Sequence, residues 1–168
     1  MKNIYLLLFM TAIIGNALTG CKSDPCANKN QFLESFDVFI NEFNDKKTNY
    51  QDADRAEAEV KYRALVNDCY KKHKPDMTLK ERQDFWVTSL KFIIDRYDGQ
   101  FSLEMKDKMD DPFNQYMKDE VVATIRESGA GFLMTLQQSL ADDLPQLMET
   151  FSEELQQIGQ EFLENLFK

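Results

Sequence analysis

Three cysteines and a single histidine are the side chains of this chain with the most distinctive chemistry. Cys21 directly follows the small residues Thr19 and Gly20, Cys26 lies in a short polar segment, and Cys69 lies in an amphipathic one. A thiol can be acylated, can join a second thiol or can bind a metal ion, depending on its surroundings. The residues around each cysteine therefore indicate which of these reactions it undergoes.

The first twenty residues have the organisation of a leader for export. Lys2 precedes an eleven-residue apolar run over 4–14, and Leu18-Thr19-Gly20-Cys21 follows. The run is too short for a hydrocarbon core of ~30 Å, which needs about 20 helical residues, whereas its length and flanks suit a cleaved signal peptide. The tetrapeptide resembles the lipobox of bacterial lipoproteins. That resemblance implies a diacylglyceryl thioether on Cys21, cleavage after Gly20, and acylation of the new amine, for example with palmitate.

The same resemblance implies where the protein resides and how the chain is divided. Residues 1–20 are expected to be a lipoprotein signal peptide, 21–30 a lipidated tether and 31–168 a single helical domain. One acyl chain holds a protein only marginally, but three chains hold it almost permanently, so Cys21 would anchor the domain to the membrane. Lys22 does not resemble the aspartate of the inner-membrane retention signal in enteric bacteria. We therefore expect the cell envelope, at the outer membrane, with the facing side open.

Cys26 and Cys69 are expected to lie together if the first two helices form an antiparallel hairpin. The turn of that hairpin centres near Asn49, so Cys26 lies 23 residues before it and Cys69 lies 20 residues after it. Both thiols are then at the same end, and an exported protein enters a compartment where such a pair can become oxidised. The alternative is that Cys26 is free and Cys69 is a small buried apolar residue.

The sequence contains no recognisable catalytic, cofactor-binding or metal-binding motif. His73 lies among lysines, which predicts a solvated helix terminus. An EF-hand frame with Gly99 at its sixth position would require Ca²⁺ ligands at Ile94 and Arg96, which cannot provide them. Neither a Gly-rich phosphate loop nor a nucleophile elbow occurs. Carboxylates for glycoside hydrolysis are numerous, but no pattern brings two of them into one cleft.

Apolar residues recur at helical spacing along nearly the whole chain, and we expect an all-α, antiparallel bundle of five or six helices. The stripe of Phe32, Phe36, Phe39 and Phe43 is interpreted as core rather than as a ligand pocket. Helix starts are indicated by a capping box at 78–81 and by an acid before proline at 111–112. The five predicted helices lie near 29–45, 52–72, 79–98, 112–140, with a break or bend at 129–131, and 143–168; a short sixth helix is expected around 103–108.

The last predicted helix, from Asp143 to Lys168, has an apolar seam and an acidic face. The seam, at Met148, Phe151, Leu155, Ile158 and Phe162, repeats every 3.5 residues and is interpreted as packing within the bundle, with partner binding as the alternative. The acidic face supplies the candidate partner surface: Glu149, Glu153, Glu154, Glu161 and Glu164.

The balance of charge narrows the classes of partner. The chain has a formal charge of −9, and residues 111–168 alone contribute −8. Such a surface repels phosphate backbones, which argues against nucleic acid. We expect a non-enzymatic binding or structural lipoprotein. The alternatives are an acidic immunity or inhibitor protein that binds a basic toxin or enzyme, because complementary charge speeds association, and an envelope enzyme that uses carboxylates.

Overall fold

A computed structural model describes residues 24–97 and 110–141, together with Asp143 and Pro145. Within these residues the protein is an all-α helical bundle of five helices without strands. The predicted leader, Gly99, the short helix at 103–108 and the body of the last predicted helix lie outside them. The five helices are α1 (Lys29–Lys46), α2 (Asp52–Ala64, continued by the π-helical Leu65–Tyr70 and the turn Lys71–His73), α3 (Leu79–Arg96), α4 (Pro112–Ser128) and α5 (Ala130–Ser139).

The helix starts indicated by the sequence are confirmed at α3 and α4. Thr78 Oγ1 accepts from the Glu81 N–H at 3.2 Å, while Glu81 Oε2 accepts from the Thr78 N–H at 2.7 Å. Asp111 Oδ1 accepts from the Phe113 N–H at 2.9 Å, and Pro112 occupies the first helical position. Each of these bonds satisfies an N–H that has no partner inside its helix.

The predicted break at 129–131 separates α4 from α5. Gly129 has a φ of 67° and a ψ of −157°, a backbone conformation that residues with a Cβ rarely adopt. Its N–H donates to the Ile125 carbonyl at 2.9 Å and so completes the last turn of α4. Glycine at this position therefore allows the chain to change direction between two helices.

Aromatic side chains fill the centre of the bundle. Phe32, Phe36 and Phe43 of α1 are buried, and the partly exposed Phe39 packs edge-on against Phe92, with ring centroids 5.1 Å apart. The interpretation of the phenylalanine stripe as core is confirmed for Phe32, Phe36 and Phe43, whereas Phe39 lies at the edge of the core. The buried apolar side chains of α3 continue this core: Phe85, Trp86, Leu90, Phe92, Ile93 and Ile94.

The first three helices alternate in direction. Lys29 pairs with Glu81 at 2.9 Å near the starts of α1 and α3, and Lys47 pairs with Asp95 at 2.6 Å near their ends. These two helices therefore run the same way. Because α2 leads from the end of α1 to the start of α3, it runs in the opposite direction, which makes α1 and α2 an antiparallel hairpin.

The second helix is not α-helical throughout, although the sequence predicts one uninterrupted helix over 52–72. The N–H of Lys71 donates to the carbonyl of Val66, five residues earlier. A π turn of this kind accommodates an extra residue within the helix. Cys69 and Tyr70, which are neighbours in the sequence, both lie in this π-helical segment and are buried.

Candidate functional site

The beginning of α1 is attached to the end of α2. Cys26 and Cys69 form a disulfide, and their Cα atoms are 4.7 Å apart. Lys72 Nζ donates to the Cys26 carbonyl at 2.7 Å, and the Cys26 N–H donates to Asp24 Oδ1 at 2.9 Å. Cys26, which lies within the predicted tether of residues 21–30, is therefore held against the end of α2.

His73 belongs to the same end of the bundle, and the prediction of a solvated histidine was wrong. Its side chain is buried, its Nε2 lies 2.9 Å from the Cys26 carbonyl oxygen, and its ring stacks on Phe32. Because a carbonyl oxygen only accepts, Nε2 is the donor. His73 follows the buried Cys69 by four residues, so it lies on the same helix face, and this spacing outweighs its lysine neighbours.

A buried polar network connects α2, α3 and α4. Trp86 Nε1 donates to Tyr70 Oη at 2.9 Å, and Tyr70 Oη donates to Glu120 Oε2 at 3.1 Å. Lys74 Nζ donates to the other oxygen of Glu120 at 2.7 Å. The sequence analysis missed Glu120, yet its position three residues after the buried Met117 indicates the inner face of α4.

The chemistry of this network is structural rather than catalytic. A carboxylate beside a tyrosine is a candidate acid–base pair when one of the two groups is free to exchange a proton. Burial, followed by the negative charge of Glu120, raises the pKa of Tyr70, so the phenol remains a donor. Both carboxylate oxygens of Glu120 already accept hydrogen bonds. The network therefore fixes three helices against one another.

A groove runs along the outer side of α1 and α2, and we call it the α1–α2 groove. It consists of two adjoining hollows of about 590 and 240 Å³ that share Phe39, Glu42 and Lys61. Val38 lines the larger hollow and is 51% exposed. Hollows of several hundred Å³ are in the range of ligand sites. The other lining residues are Pro25, Gln31, Glu34, Ser35, Leu65, Phe43, Lys46, Tyr50, Asp54, Glu57 and Ala58.

The walls of the α1–α2 groove carry more acid than base. Its carboxylates outnumber its ammonium groups by four to two: Glu34, Glu42, Asp54 and Glu57 against Lys46 and Lys61. Glu57 pairs with Lys61 at 2.8 Å and, through hydrogen bonding and charge, raises the pKa of that lysine. Asp54 accepts from the Gln51 N–H at 2.9 Å. Two of the acids thus already stabilise α2, while Glu34 and Glu42 face the larger hollow, where Val38 and Phe39 provide apolar surface.

The described part of the chain contains neither a metal-binding cluster nor a membrane-spanning helix. Within 24–97 and 110–141, no three His, Cys, Asp or Glu side chains come together as a metal-binding group. None of the helices described there is both long enough and apolar enough to cross a bilayer.

The remaining candidate residues lie outside the described residues: Cys21, Glu149, Glu153, Glu154, Glu161 and Glu164. The structure therefore brings together Cys26 and Cys69 and adds the α1–α2 groove, which the sequence analysis did not predict. Compared with protein-family models, curated proteins and solved structures, the chain matches none of them.

Proposed function

We propose that this protein is a lipid-anchored, non-enzymatic binding protein of the bacterial cell envelope, held at the outer membrane through Cys21. Its α1–α2 groove receives a basic, amphipathic segment of a partner protein. The observation that carries the binding role is the combination, in one groove, of exposed apolar surface at Val38 and Phe39 with carboxylates at Glu34 and Glu42.

The two kinds of surface in the groove have separate roles in binding. An apolar side chain of the partner would cover Val38 and Phe39, and burial of such central contacts supplies most of the affinity of an interface. Lysine or arginine residues beside it would face Glu34 and Glu42. Charges at the rim mainly steer the encounter and exclude partners of the wrong sign.

The immunity or inhibitor role is the second candidate, and it makes the partner a basic toxin or enzyme. The net charge of −9 supports it, because the whole surface, not only the groove, favours a cationic partner. A carboxylate-dependent enzyme has less support, since Asp54 and Glu57 in the groove already bond within α2 and Glu120 has both oxygens occupied.

The anchor is tested by Cys21→Ser. The variant should incorporate no radiolabelled palmitate and should leave the membrane fraction, because only a thiol can carry the thioether. Cys26→Ala is the matched control, and it should be labelled and fractionate like the natural protein. Palmitate that still enters the Cys21→Ser protein would overturn the anchor proposal.

The groove is tested with a pair of charge reversals. We expect Glu34→Lys combined with Glu42→Lys to weaken binding of a basic envelope protein at least about tenfold, equivalent to about 1.4 kcal/mol. Binding by the natural protein should weaken at high salt, because salt screens the attraction between the groove and the partner. The measurement is pull-down from an envelope extract, followed by titration of the isolated partner.

The matched control for these reversals is Asp119→Lys, an exposed position on α4 away from the groove. It changes the net charge by as much as Glu34→Lys or Glu42→Lys alone, so it is compared with each single reversal, and it should leave binding nearly unchanged. Equal losses in the groove and control variants would mean that overall charge, and not the groove, attracts the partner. Val38→Ser removes apolar surface without changing the charge of the groove, and it should also weaken binding.

A further inference from the structure

We propose that the end of the bundle formed by the Cys26–Cys69 disulfide and the turn Lys71–His73 faces the membrane surface, with Lys71 and Lys72 against the lipid headgroup phosphates. The α1–α2 groove then opens sideways into the aqueous space. This inference rests on the proposed acyl anchor at Cys21, but it concerns the orientation of the domain, which the anchor alone leaves open.

The linker between the anchor at Cys21 and the bundle at Cys26 is short. Five residues lead from Cys21 to Cys26, and a fully extended chain covers at most ~3.6 Å per residue, or about 18 Å in all. Helix α1 has 18 residues and so is about 27 Å long at 1.5 Å per residue. The bundle therefore cannot stand with its opposite end on the membrane, because the linker is too short to hold Cys26 at that height.

Cys26 cannot move away from the end of the bundle where α2 finishes. It is bonded to Cys69, and its carbonyl accepts from Lys72 Nζ at 2.7 Å and lies 2.9 Å from His73 Nε2. The point where the linker from Cys21 enters the bundle is thus fixed at the end of α2, beside the start of α1. Only an upright bundle or a bundle lying on one side remains compatible with an anchor at Cys21.

Charge favours the upright arrangement over one in which the bundle lies on the α1–α2 groove. Lying on the α1–α2 groove would press Glu34 and Glu42 against headgroup phosphates, which repel them. Charges at the Cys26 end are mixed, since the exposed Asp24, Asp68 and Asp76 lie near the exposed Lys71 and Lys72. Such an end meets phosphate with less repulsion than the groove, whose four carboxylates stand against two ammonium groups.

Lys71 and Lys72 are the side chains of this end best suited to meet phosphate. Lys71 Nζ donates to the amide oxygen of Asn67 at 2.8 Å and lies over the Tyr116 ring, while Lys72 Nζ donates to a carbonyl. Within the described part of the chain neither forms an ion pair, whereas other lysines of this end do: Lys29 with Glu81, Lys74 with Glu120 and Lys80 with Asp84.

The test is lysine acetylation of the acylated protein on vesicles of phosphatidylethanolamine and phosphatidylglycerol, read by peptide mass spectrometry. Lys71 and Lys72 should react several-fold more slowly than in the soluble Cys21→Ser protein. Lys46 and Lys61, which line the groove, should react at the same rate in both samples and serve as internal controls. The acyl mass on Cys21 is measured first, so that a missing anchor is distinguished from a different orientation.

A variant with a longer linker between Cys21 and Cys26 is the matched control for the chain-length argument. Inserting about ten Gly/Ser residues between Lys22 and Ser23 adds roughly 18 Å of average reach. Membrane association should persist, but the protection of Lys71 and Lys72 should disappear. Acylated protein in which these lysines are unprotected, or in which Lys46 and Lys61 are protected instead, would overturn the orientation. Protection that persists in the variant with the longer linker would overturn the chain-length argument. Absence of acylation would overturn both the anchor at Cys21 and the orientation of the bundle.

Discussion

Reduction of the Cys26–Cys69 disulfide is expected to lower the free energy of unfolding by about 4 kcal/mol. The bond joins residues separated by 43 positions, and without it the unfolded chain regains the entropy of an open loop of that size. Single domains are stable by only about 5–15 kcal/mol, so this one bond supplies a large share. Urea unfolding of the Cys21→Ser protein, with and without reductant, measures the difference through the fluorescence of Trp86, the single tryptophan.

The double variant Cys26→Ala/Cys69→Ala, made in the same Cys21→Ser background, is the control. Its unfolding midpoint should be low and should not respond to reductant. The contacts of Lys72 and His73 with the Cys26 carbonyl do not depend on the thiol, so the variant should still fold. A midpoint that reductant leaves unchanged in protein whose bond has been verified would contradict the loop-entropy account.

Local signals predicted most of the helical architecture, because they depend on neighbours a few residues apart. The capping box at Thr78 and the acid before Pro112 start helices in the structure. Gly129 separates two helices because only a residue without a Cβ tolerates its positive φ. The phenylalanine stripe of α1 contributes Phe32, Phe36 and Phe43 to the core because its spacing keeps these rings on one face.

The features that sequence analysis missed depend on contacts between helices. The lysines around His73 indicate solvent, but Phe32 and the Cys26 carbonyl, which cover the ring, come from another part of the chain. Glu120 is buried because Tyr70 and Lys74 satisfy its two oxygens from a second helix. Spacing within one helix carries no information about such partners, and a charged residue is otherwise placed at the surface.

The α1–α2 groove could not be predicted for the same reason. A hollow between two helices depends on their separation and on which side chains at the contact are short, and those quantities follow from packing. Val38 on α1 and Val60 on α2 are comparable valines. In the structure both are exposed, but only Val38 belongs to a hollow with acidic walls. Exposure together with concavity distinguishes a binding candidate from an isolated surface valine.

The Phe85→Ala substitution is expected to reduce the free energy of unfolding by about 3–5 kcal/mol. Phe85 is buried and contacts four aromatic rings of three helices, with the centroids of Phe36 and Tyr70 at 4.5 Å, Trp86 at 5.1 Å and Phe32 at 5.6 Å. Removing the ring leaves a cavity that rigid aromatic neighbours cannot fill. Urea unfolding monitored by circular dichroism gives the loss without relying on Trp86, whose surroundings also change.

Phe39→Ala is the matched control, and it separates stability from binding. Phe39 is partly exposed and makes one edge-on ring contact, with Phe92, so its removal should cost clearly less than that of Phe85. Because Phe39 lines both hollows of the groove, the same variant should weaken partner binding while the domain remains folded. Equal losses of stability in the two variants would mean that Phe39 acts as core. The apolar surface assigned to the partner would then be restricted to Val38.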